Sequence, residues 1–168
     1  MLEAALEILA ATPEKLRREV AGMSGSEMRR RPAPGKWSVQ EVLAHLDDVE
    51  ELGMRARVAA MIEGNEPSLA PFDQEKRAVE QRYDRRNPQK SFESFVRQRR
   101  ANLKWLRTLK PSELRRKGIH QTVGEVTAAE MIHEWAFHDL GHLKQIMEVK
   151  RYALWPHMGN MQKFYKLQ

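Results

Sequence analysis

Apolar residues recur every three or four positions in four long segments of the chain. This spacing marks one face of an α-helix, whereas the strict alternation typical of a half-buried strand is not evident. The sequence therefore predicts four long amphipathic helices. Their predicted limits are Leu2 to Met23, Ser38 to about Glu63, Ser91 to Leu109, and Thr127 to about Arg151.

Local signals mark several helix ends. Ser38 with Glu41, and Thr127 with Glu130, form the Ser/Thr-x-x-Glu pattern of a capping box, in which the two side chains satisfy free backbone N–H groups. The pair Thr12–Pro13 predicts an interruption of the first helix, because Thr can cap a new helix and Pro is favoured at its first position.

A long connection of nearly thirty residues separates the second and third predicted helices. A short helix is expected within residues 72–84, and residues 111–126 are expected to be irregular, with at most a short extended piece at 119–123. No internal repeat is visible. We therefore predict an all-α fold: a four-helix bundle with a long crossover between its second and third long helices, formed as a single domain over residues 1–168.

The composition agrees with a globular domain, since 41% of the 168 residues are apolar and 31% are charged. The absence of cysteine excludes a disulfide framework, a thiolate metal site and a cysteine nucleophile. There is no signal-peptide pattern, and no apolar stretch reaches the roughly 18 residues that a membrane span needs. We therefore expect a cytoplasmic protein without membrane contact.

The formal net charge is +6 and the sequence pI is about 9.7, which raises the question of nucleic-acid binding. The basic residues occur in short groups, such as Arg29–Arg31 and Arg115–Lys117, with acidic residues between them. No aromatic RNA-binding motif, zinc finger or helix-turn-helix pattern accompanies them. A solvated basic surface is therefore favoured over specific nucleic-acid binding.

Two histidines of the last predicted helix lie on its apolar side when residues are placed at about 100° intervals. Relative to Trp135, His142 falls about 20° away and His138 about 60° away, so the two imidazoles project side by side, one turn apart. His133 falls about 160° away and is expected at the surface or at an interface. The apolar stripe that His142 joins consists of Ala128, Met131, Trp135, Ile146 and Val149.

His45 lies on the core-facing side of the second predicted helix, a side defined by Val42, Val49, Leu52 and Ala59. Any one of the three inward histidines alone would be interpreted as a hydrogen-bonded core residue. Burying three imidazoles without a shared partner, however, would cost several kcal/mol. A divalent metal ion satisfies all three, and histidines one turn apart suit Zn, Ni, Fe or Mn. We therefore predict a metal site on His45, His138 and His142.

Neutral imidazole ligands need a partner for their second nitrogen, and several carboxylates are close enough in sequence to supply one. Asp48 lies one turn after His45, Glu134 lies one turn before His138, and Asp139 directly follows His138. Asp48 and Glu134 are candidates for a general base, an added ligand or a hydrogen-bond partner of an imidazole. Ordinary surface charge is the alternative for all three. Glu41 is equally near, but its capping box disfavours ligation.

Two segments resemble those of the DinB-like superfamily, namely RPAPGKWSVQEVLAHLDDVE at residues 31–50 and VTAAEMIHEWAFHDLGHLKQI at residues 126–146. The flanking segments at residues 12–32 and 151–159 also fit, so the resemblance covers nearly the whole chain. This superfamily includes metal-dependent hydrolases and bacterial low-molecular-weight thiol transferases. The resemblance implies a four-helix bundle that binds a divalent metal through His45, His138 and His142, and often a homodimer.

Three histidine ligands leave coordination positions open, as in a catalytic site. The site would suit a hydrolase or a thiol S-transferase acting on a small-molecule substrate, and the cysteine-free chain would need a small external thiol such as bacillithiol or mycothiol. Zn or Ni is expected ahead of Mn or Fe. One alternative is a metal-binding stress or structural protein without turnover. The other is an interaction module using the aromatic tail (Tyr152, Trp155, Phe164 and Tyr165), although packing of that tail over the bundle end is favoured.

Overall fold

The computed structural model describes residues 2–167. Its helices are α1 (Leu2–Val20), α2 (Gly25–Arg29), α3 (Val39–Val49), α4 (Ala56–Glu63), α5 (Gln74–Glu80), α6 (Pro88–Leu106), α7 (Pro111–Leu114) and α8 (Ala128–Leu154). A π-helical turn at Glu50–Arg55 joins α3 to α4, so these three elements form one long helical segment.

The predicted four-helix bundle is confirmed. Helix α1 packs against α6 and α8, and α3 packs against α6, while the α4 end of the second long segment packs on α8. The crossover lies between α4 and α6, as predicted, and contains α5. Within the described residues, no helix combines the length and the apolar character needed to cross a membrane. Residues at the centre of the two apolar clusters are Leu9, Met61, Ile132 and Trp135 in one, and Leu16, Leu43, Phe95 and Ile146 in the other.

A small three-stranded sheet forms where irregular chain with at most a short extended piece at residues 119–123 was expected; of that piece, only Ile119 and His120 belong to a strand. Strand β1 (Ser68–Leu69) pairs in parallel with β2 (Lys117–His120), which pairs antiparallel with β3 (Gly124–Thr127). Gly124 has a φ of 85° at the hairpin, a conformation that favours glycine. The strands have two to four residues, too few to show alternation, and β1 is supplied by the distant crossover.

The predicted interruption of α1 is wrong, since the helix continues through Pro13. The hydroxyl of Thr12 donates to the carbonyl of Ile8 at 2.9 Å instead of capping a new helix. Proline cannot donate to the carbonyl four residues earlier, which is that of Leu9. Arg99 Nη1 donates to this carbonyl at 2.9 Å, so a buried side chain from α6 satisfies the acceptor that Pro13 leaves free.

The second long segment departs from a regular α-helix at the π-helical turn, and this corrects its predicted inward face. Leu52, expected to face the core, is 51% exposed, whereas Met54, Val58 and Met61 are buried. A π-helical turn inserts about one extra residue and so rotates everything after it by about 100°. The insertion keeps the apolar residues of α4 on the bundle side and leaves the placement of His45, which precedes it, unchanged.

The start of α6 also differs from the prediction. Asn87 caps the helix by accepting from the backbone N–H of Lys90 at 2.9 Å, and Pro88 takes the first helical position. Ser91, the predicted cap, lies inside the helix and is buried. Both predicted capping boxes are confirmed, at Ser38 with Glu41 and at Thr127 with Glu130.

The aromatic tail packs over the bundle only in part. Tyr152 and Trp155 are half-buried, but Phe164 and Tyr165 are 78% and 55% exposed. Two short 3₁₀ turns, at Trp155–His157 and Gly159–Phe164, carry this segment.

Candidate metal centre

The three predicted histidines converge inside the bundle. His45 projects from α3, and His138 and His142 project from consecutive turns of α8. His138 Nε2 lies 3.1 Å from the Nε2 atom of His45 and 3.1 Å from that of His142. A potential ligand atom from each of the three residues lies within 4.8 Å of the other two. The core-facing positions predicted from the sequence thus bring the ring nitrogens of His45, His138 and His142 together in one cluster.

The hydrogen bond on the far side of His142 defines the role of its ring. Its Nδ1 atom lies 2.8 Å from Oε1 of Gln145, an oxygen that can only accept. Nδ1 therefore carries the proton, and Nε2 turns a lone pair toward the other imidazoles. The Nδ1 atoms of His45 and His138 are buried and have no hydrogen-bond partner within the described part of the chain.

Burial keeps the imidazoles neutral. Loss of water is the main cause that lowers the pKa of His45 to about 3 and that of His138 to about 2, with neighbouring histidines as a further cause. Burial also lowers the pKa of His142, although its hydrogen bond with Gln145 acts in the opposite direction. At neutral pH the cluster therefore offers uncharged nitrogen donors, the form in which histidine binds a metal.

The arrangement fits a divalent metal ion. A zinc ion with Zn–N bonds of about 2.0–2.1 Å in tetrahedral geometry holds its nitrogen ligands about 3.3 Å apart, close to the 3.1 Å between Nε2 of His138 and Nε2 of each of the other two histidines. A hydrogen bond between two of these Nε2 atoms needs a proton on one of them. Three neutral imidazoles that all point lone pairs inward therefore cannot hydrogen-bond to one another. A cation at the point of convergence satisfies all three.

Aromatic side chains form the wall behind His45. The ring centroids of Trp37, Phe72 and Tyr83 lie 5.1, 5.9 and 6.4 Å from that of His45. His45 itself is 1% exposed, whereas His138 and His142 are half-buried. The cluster is therefore closed on the α3 side and reachable from the α8 side.

Asp48 contacts other residues than the imidazole it was expected to support. Its carboxylate accepts from Arg77 Nε at 2.8 Å, from Arg86 Nη1 at 2.8 Å and from the Tyr83 hydroxyl at 3.0 Å. Burial alone would raise the pKa of Asp48, but hydrogen bonds and charge from the two arginines outweigh it and hold the pKa below the ordinary value. The expected hydrogen bond from the His45 imidazole to Asp48 is therefore absent, and Asp48 instead accepts from Arg77 and Arg86 of the crossover.

Glu134 remains near the cluster but outside it. Its side chain reaches solvent, yet the surrounding protein removes enough water to raise the pKa of its carboxyl, against the lowering effect of Arg57. No carboxylate belongs to the group of potential ligands formed by the described residues. The expectation that Glu134 or Asp48 adds a fourth protein ligand is thus not supported by this geometry.

Asp139 and Glu41 are both engaged elsewhere. Asp139 receives two hydrogen bonds from the buried Arg99, at 2.5 and 3.0 Å. Glu41 accepts from the backbone and hydroxyl of Ser38 and forms an ion pair with Arg31. The sequence-based preference for capping over ligation at Glu41 agrees with these contacts.

Sequence reasoning missed several residues that shape the site. Gln145, three positions after His142, has the spacing of a neighbour on the same helix face, and that spacing could have identified it. Arg99 shares the inward stripe of Phe95, four residues earlier, and an arginine on an apolar stripe signals a buried ion pair. No sequence pattern near Tyr83 predicts its contact with His45, because the fold of the crossover places the two residues together.

The remaining histidines lie apart from the cluster. His133 Nδ1 contacts the carbonyl of Ala129 at 2.7 Å on its own helix, and His120 Nδ1 accepts from the backbone at the β2–β3 hairpin. His157 is exposed in the tail. His133 was expected at the surface or at an interface, but it is half-buried, and its Nε2 atom is buried without a partner among the described residues. It does lie apart from the three inward histidines, as its position on the helix predicted.

Comparisons with known proteins agree with this picture. The family model described as the DinB superfamily matches residues 8–146. A protein of Oceanobacillus iheyensis named "Putative metal-dependent hydrolase" is 24% identical over 135 residues, which cover 79% of this chain and 75% of that protein.

A similar solved structure is YfiT from Bacillus subtilis, described as "a probable metal-dependent hydrolase with an unusual four-helix bundle topology". The two structures superpose with a TM-score of 0.83, covering 92% of this chain and 88% of the other at 22% sequence identity. At this identity the similarity establishes the shared fold.

Proposed function

The chain belongs to the DinB superfamily, and from this premise we propose that it is a metal-dependent enzyme, in the first place a hydrolase of a small molecule. One divalent ion would be held by the Nε2 atoms of His45, His138 and His142, with zinc or nickel ahead of manganese or iron. The names of the two relatives support metal-dependent hydrolysis as the reaction class.

The observation that carries the proposal is the convergence of three neutral imidazoles without a protein carboxylate among them. A structural zinc site is usually closed by four protein ligands, whereas three ligands leave a position for the reacting molecule. The half-exposed rings of His138 and His142 give that position access to solvent.

An ion bound here would supply Lewis acidity, which activates a water molecule or an external thiol as the nucleophile. Gln145 holds the proton of His142 on Nδ1 and so keeps Nε2 available as a donor. Trp37 and Tyr83 exclude bulk water from the side of His45. Glu134 is the proposed proton acceptor, because burial raises its pKa toward the range in which a general base works.

Thiol S-transfer is the second candidate, and one observation favours it. Of the three carboxylates considered from the sequence, Asp48 and Asp139 are held by arginines, which leaves Glu134, and its side chain reaches solvent. A thiol needs less help from a base than water does, because its own pKa is far lower. The cysteine-free chain would take such a thiol from solution.

The direct test is metal analysis of protein purified without a histidine tag. We expect about one Zn, Ni, Mn or Fe per chain, retained in His157→Ala and lost in His142→Ala. The exposed His157 provides the matched control because it lies outside the cluster. If the wild type holds no metal and cannot be reconstituted, the proposed metal site is wrong.

Activity assays then separate the reactions. Metal-dependent cleavage of ester or amide substrates would support the hydrolase, and metal-dependent coupling of a thiol to monochlorobimane would support the transferase. Either activity should disappear in His45→Ala. Bound metal without turnover on both panels would instead identify a metal-stabilised structural protein.

We also propose that the chain forms a homodimer, supported by the outer face of α8. Phe137, Leu140, Met147 and Leu154 are 78%, 40%, 47% and 63% exposed and lie on one side of this helix. Lys144 and Arg151 lie on the same side of the helix, so this surface is apolar with two basic residues. Exposed apolar groups of this kind are typical of association surfaces. Sedimentation should show a dimer for the wild type and a monomer for Phe137→Glu/Met147→Glu; a wild-type monomer at micromolar concentration would contradict the proposal.

A further inference from the structure

The imidazole of His45 is held by packing against neighbouring rings, and not by a hydrogen bond at Nδ1. Its Nδ1 atom is buried and has no partner among residues 2–167. A metal-bound histidine ordinarily donates the proton of its second nitrogen to an acceptor that fixes the plane of the ring. Gln145 is such an acceptor for His142. For His45, another group must therefore define the direction in which Nε2 points.

Two of the three aromatic rings beside His45 belong to the crossover. The ring centroid of Tyr83 lies 6.4 Å from that of His45, and that of Phe72 lies 5.9 Å away, while Trp37, at 5.1 Å, precedes α3. The three rings are inclined to the imidazole by 57–64°, a tilted geometry that aromatic pairs favour. Because a closely packed ring cannot turn without moving its neighbours, the crossover takes part in setting the plane of the imidazole.

Tyr83 is itself fixed against α3 at two points. Its side chain is fully buried, and its hydroxyl donates to Asp48 at 3.0 Å. Asp48 follows His45 by three residues, so the two side chains are neighbours on the helix surface. Earlier in α3, Gln40 Nε2 donates to the carbonyls of Tyr83 and of the next residue, at 3.3 and 2.6 Å. Contacts before and after His45 along the helix thus hold the tyrosine by its hydroxyl and by its backbone.

The charges around Asp48 maintain its contact with Tyr83. Arg77 and Arg86 each donate to the same carboxylate at 2.8 Å. Burial alone would raise the pKa of Asp48, but the two arginines hold it below the ordinary value. The carboxylate therefore remains ionised at neutral pH and accepts from the tyrosine hydroxyl, while its ion pairs attach the crossover to α3.

We infer that Tyr83 is a positioning residue for His45: Asp48 holds its hydroxyl, and its ring keeps the imidazole in the orientation that binds the metal. The inference rests on the proposed function, because it takes His45 as a metal ligand. Tyr83 takes no part in bond making or breaking. Asp48 acts on the site through Tyr83, without a hydrogen bond to the imidazole. The packing of the crossover on α3 and the affinity for the metal are thereby coupled.

The test measures metal binding by the full-length protein in two ways. Competition with a chromophoric chelator gives the affinity for Zn²⁺, and the visible spectrum of the Co²⁺-saturated protein reports the geometry of the ligands. Tyr83→Leu removes the ring, so we expect the Zn²⁺ affinity to fall by about tenfold and the cobalt spectrum to change. Tyr83→Phe keeps the ring and removes only the hydroxyl, so we expect an unchanged spectrum and a loss of affinity of about threefold.

Phe92→Leu is the matched control. Phe92 is a buried ring in the same apolar cluster as Tyr83, but it makes no ring contact with His45 in the described chain. This variant should lose stability without a change in Zn²⁺ affinity or in the cobalt spectrum. A loss of affinity as large in Phe92→Leu as in Tyr83→Leu would show a general effect of core packing and would overturn the inference.

Unchanged affinity and spectrum in Tyr83→Leu would also overturn it. If Tyr83→Leu does not fold, Tyr83→Phe decides, and an unchanged Zn²⁺ affinity in that variant is then the contrary result. A wild type that binds neither Zn²⁺ nor Co²⁺ would instead show that the metal site of the proposed function is wrong.

Discussion

Two buried polar clusters meet at neighbouring residues of α8, and they differ in how completely their hydrogen-bonding groups are used. The Arg99 cluster consists of Arg99, Glu50, Asp139, Asn102 and Trp135. The histidine cluster consists of His45, His138 and His142. Asp139 belongs to the first and His138 to the second, so adjacent positions on one helix serve both.

In the Arg99 cluster every guanidinium donor has an acceptor. Arg99 makes two hydrogen bonds to Glu50, at 2.8 and 2.7 Å, two to Asp139, at 2.5 and 3.0 Å, and one to the Leu9 carbonyl at 2.9 Å. Asn102 and Trp135 complete the shell of Glu50, each at 3.0 Å. The two carboxylates and the hydrogen bonds outweigh burial and raise the pKa of Arg99.

In the histidine cluster the inward lone pairs converge, and two of the three Nδ1 atoms have no partner in the described chain. A saturated cluster has no capacity left for a ligand, whereas an unsaturated one is stabilised by binding. The comparison teaches that buried polar groups alone do not identify a site. Convergence of ligand atoms at one point, as in the three histidines, does.

The largest expected effect comes from breaking the saturated cluster. Arg99→Met leaves Glu50 and Asp139 buried without a counter-charge, which should lower the free energy of unfolding by about 3–5 kcal/mol. Urea denaturation measures this loss. Arg100→Met, at the exposed neighbouring position, should change stability by less than about 0.5 kcal/mol. A loss below about 1 kcal/mol in Arg99→Met would show that the cluster is dispensable for folding.

A smaller effect should follow acidification of the metal-free protein. The pKa of His45 is about 3 in the folded state, below the ordinary value of 6.5, so the unfolded chain binds more protons between these values. Stability is therefore fully present above pH 6.5 and is lost as the pH falls toward the folded pKa. From pH 6.5 to 5 we expect a loss of about 2 kcal/mol.

Urea titrations of chelator-treated protein at several pH values measure this slope. The slope should flatten in His45→Gln/His138→Gln, which removes two of the buried imidazoles, and should persist in His120→Gln, which alters a histidine outside the cluster. Stability that rises on acidification would contradict the neutral, buried state of the cluster.

The smallest expected effect concerns a difference within the histidine cluster: His142 has a hydrogen-bond partner for its Nδ1 atom, whereas His45 and His138 have none in the described chain. Gln145→Met removes the acceptor of His142 Nδ1–H and gives this ring the same unpartnered Nδ1 as its two neighbours. We expect the affinity for Zn²⁺ to fall by about tenfold, the lower end of the usual effect for such supporting groups. Competition with a chromophoric chelator measures it, with Gln121→Met as the exposed control; an unchanged affinity would show that Gln145 does not orient His142.

The sequence determined those features that depend on neighbours along one helix. The 3.6-residue period predicted the four long helices and placed His138 and His142 on one inward face of α8. The capping boxes at Ser38 and Thr127 need no partner outside four residues, and both are formed as predicted. Such features follow from local backbone geometry, and they can therefore be predicted from one sequence.

The tertiary structure alone decided the features that depend on contacts between distant segments. Leu52 faces solvent because of a π-helical turn, Pro13 remains inside α1 while Arg99 satisfies the carbonyl it leaves free, and Asp48 pairs with crossover arginines. A carboxylate one turn from a histidine can point to either of two partners, and charge and burial from other elements choose between them. Local periodicity could therefore place the histidines on inward faces, but only packing could show what their neighbours do.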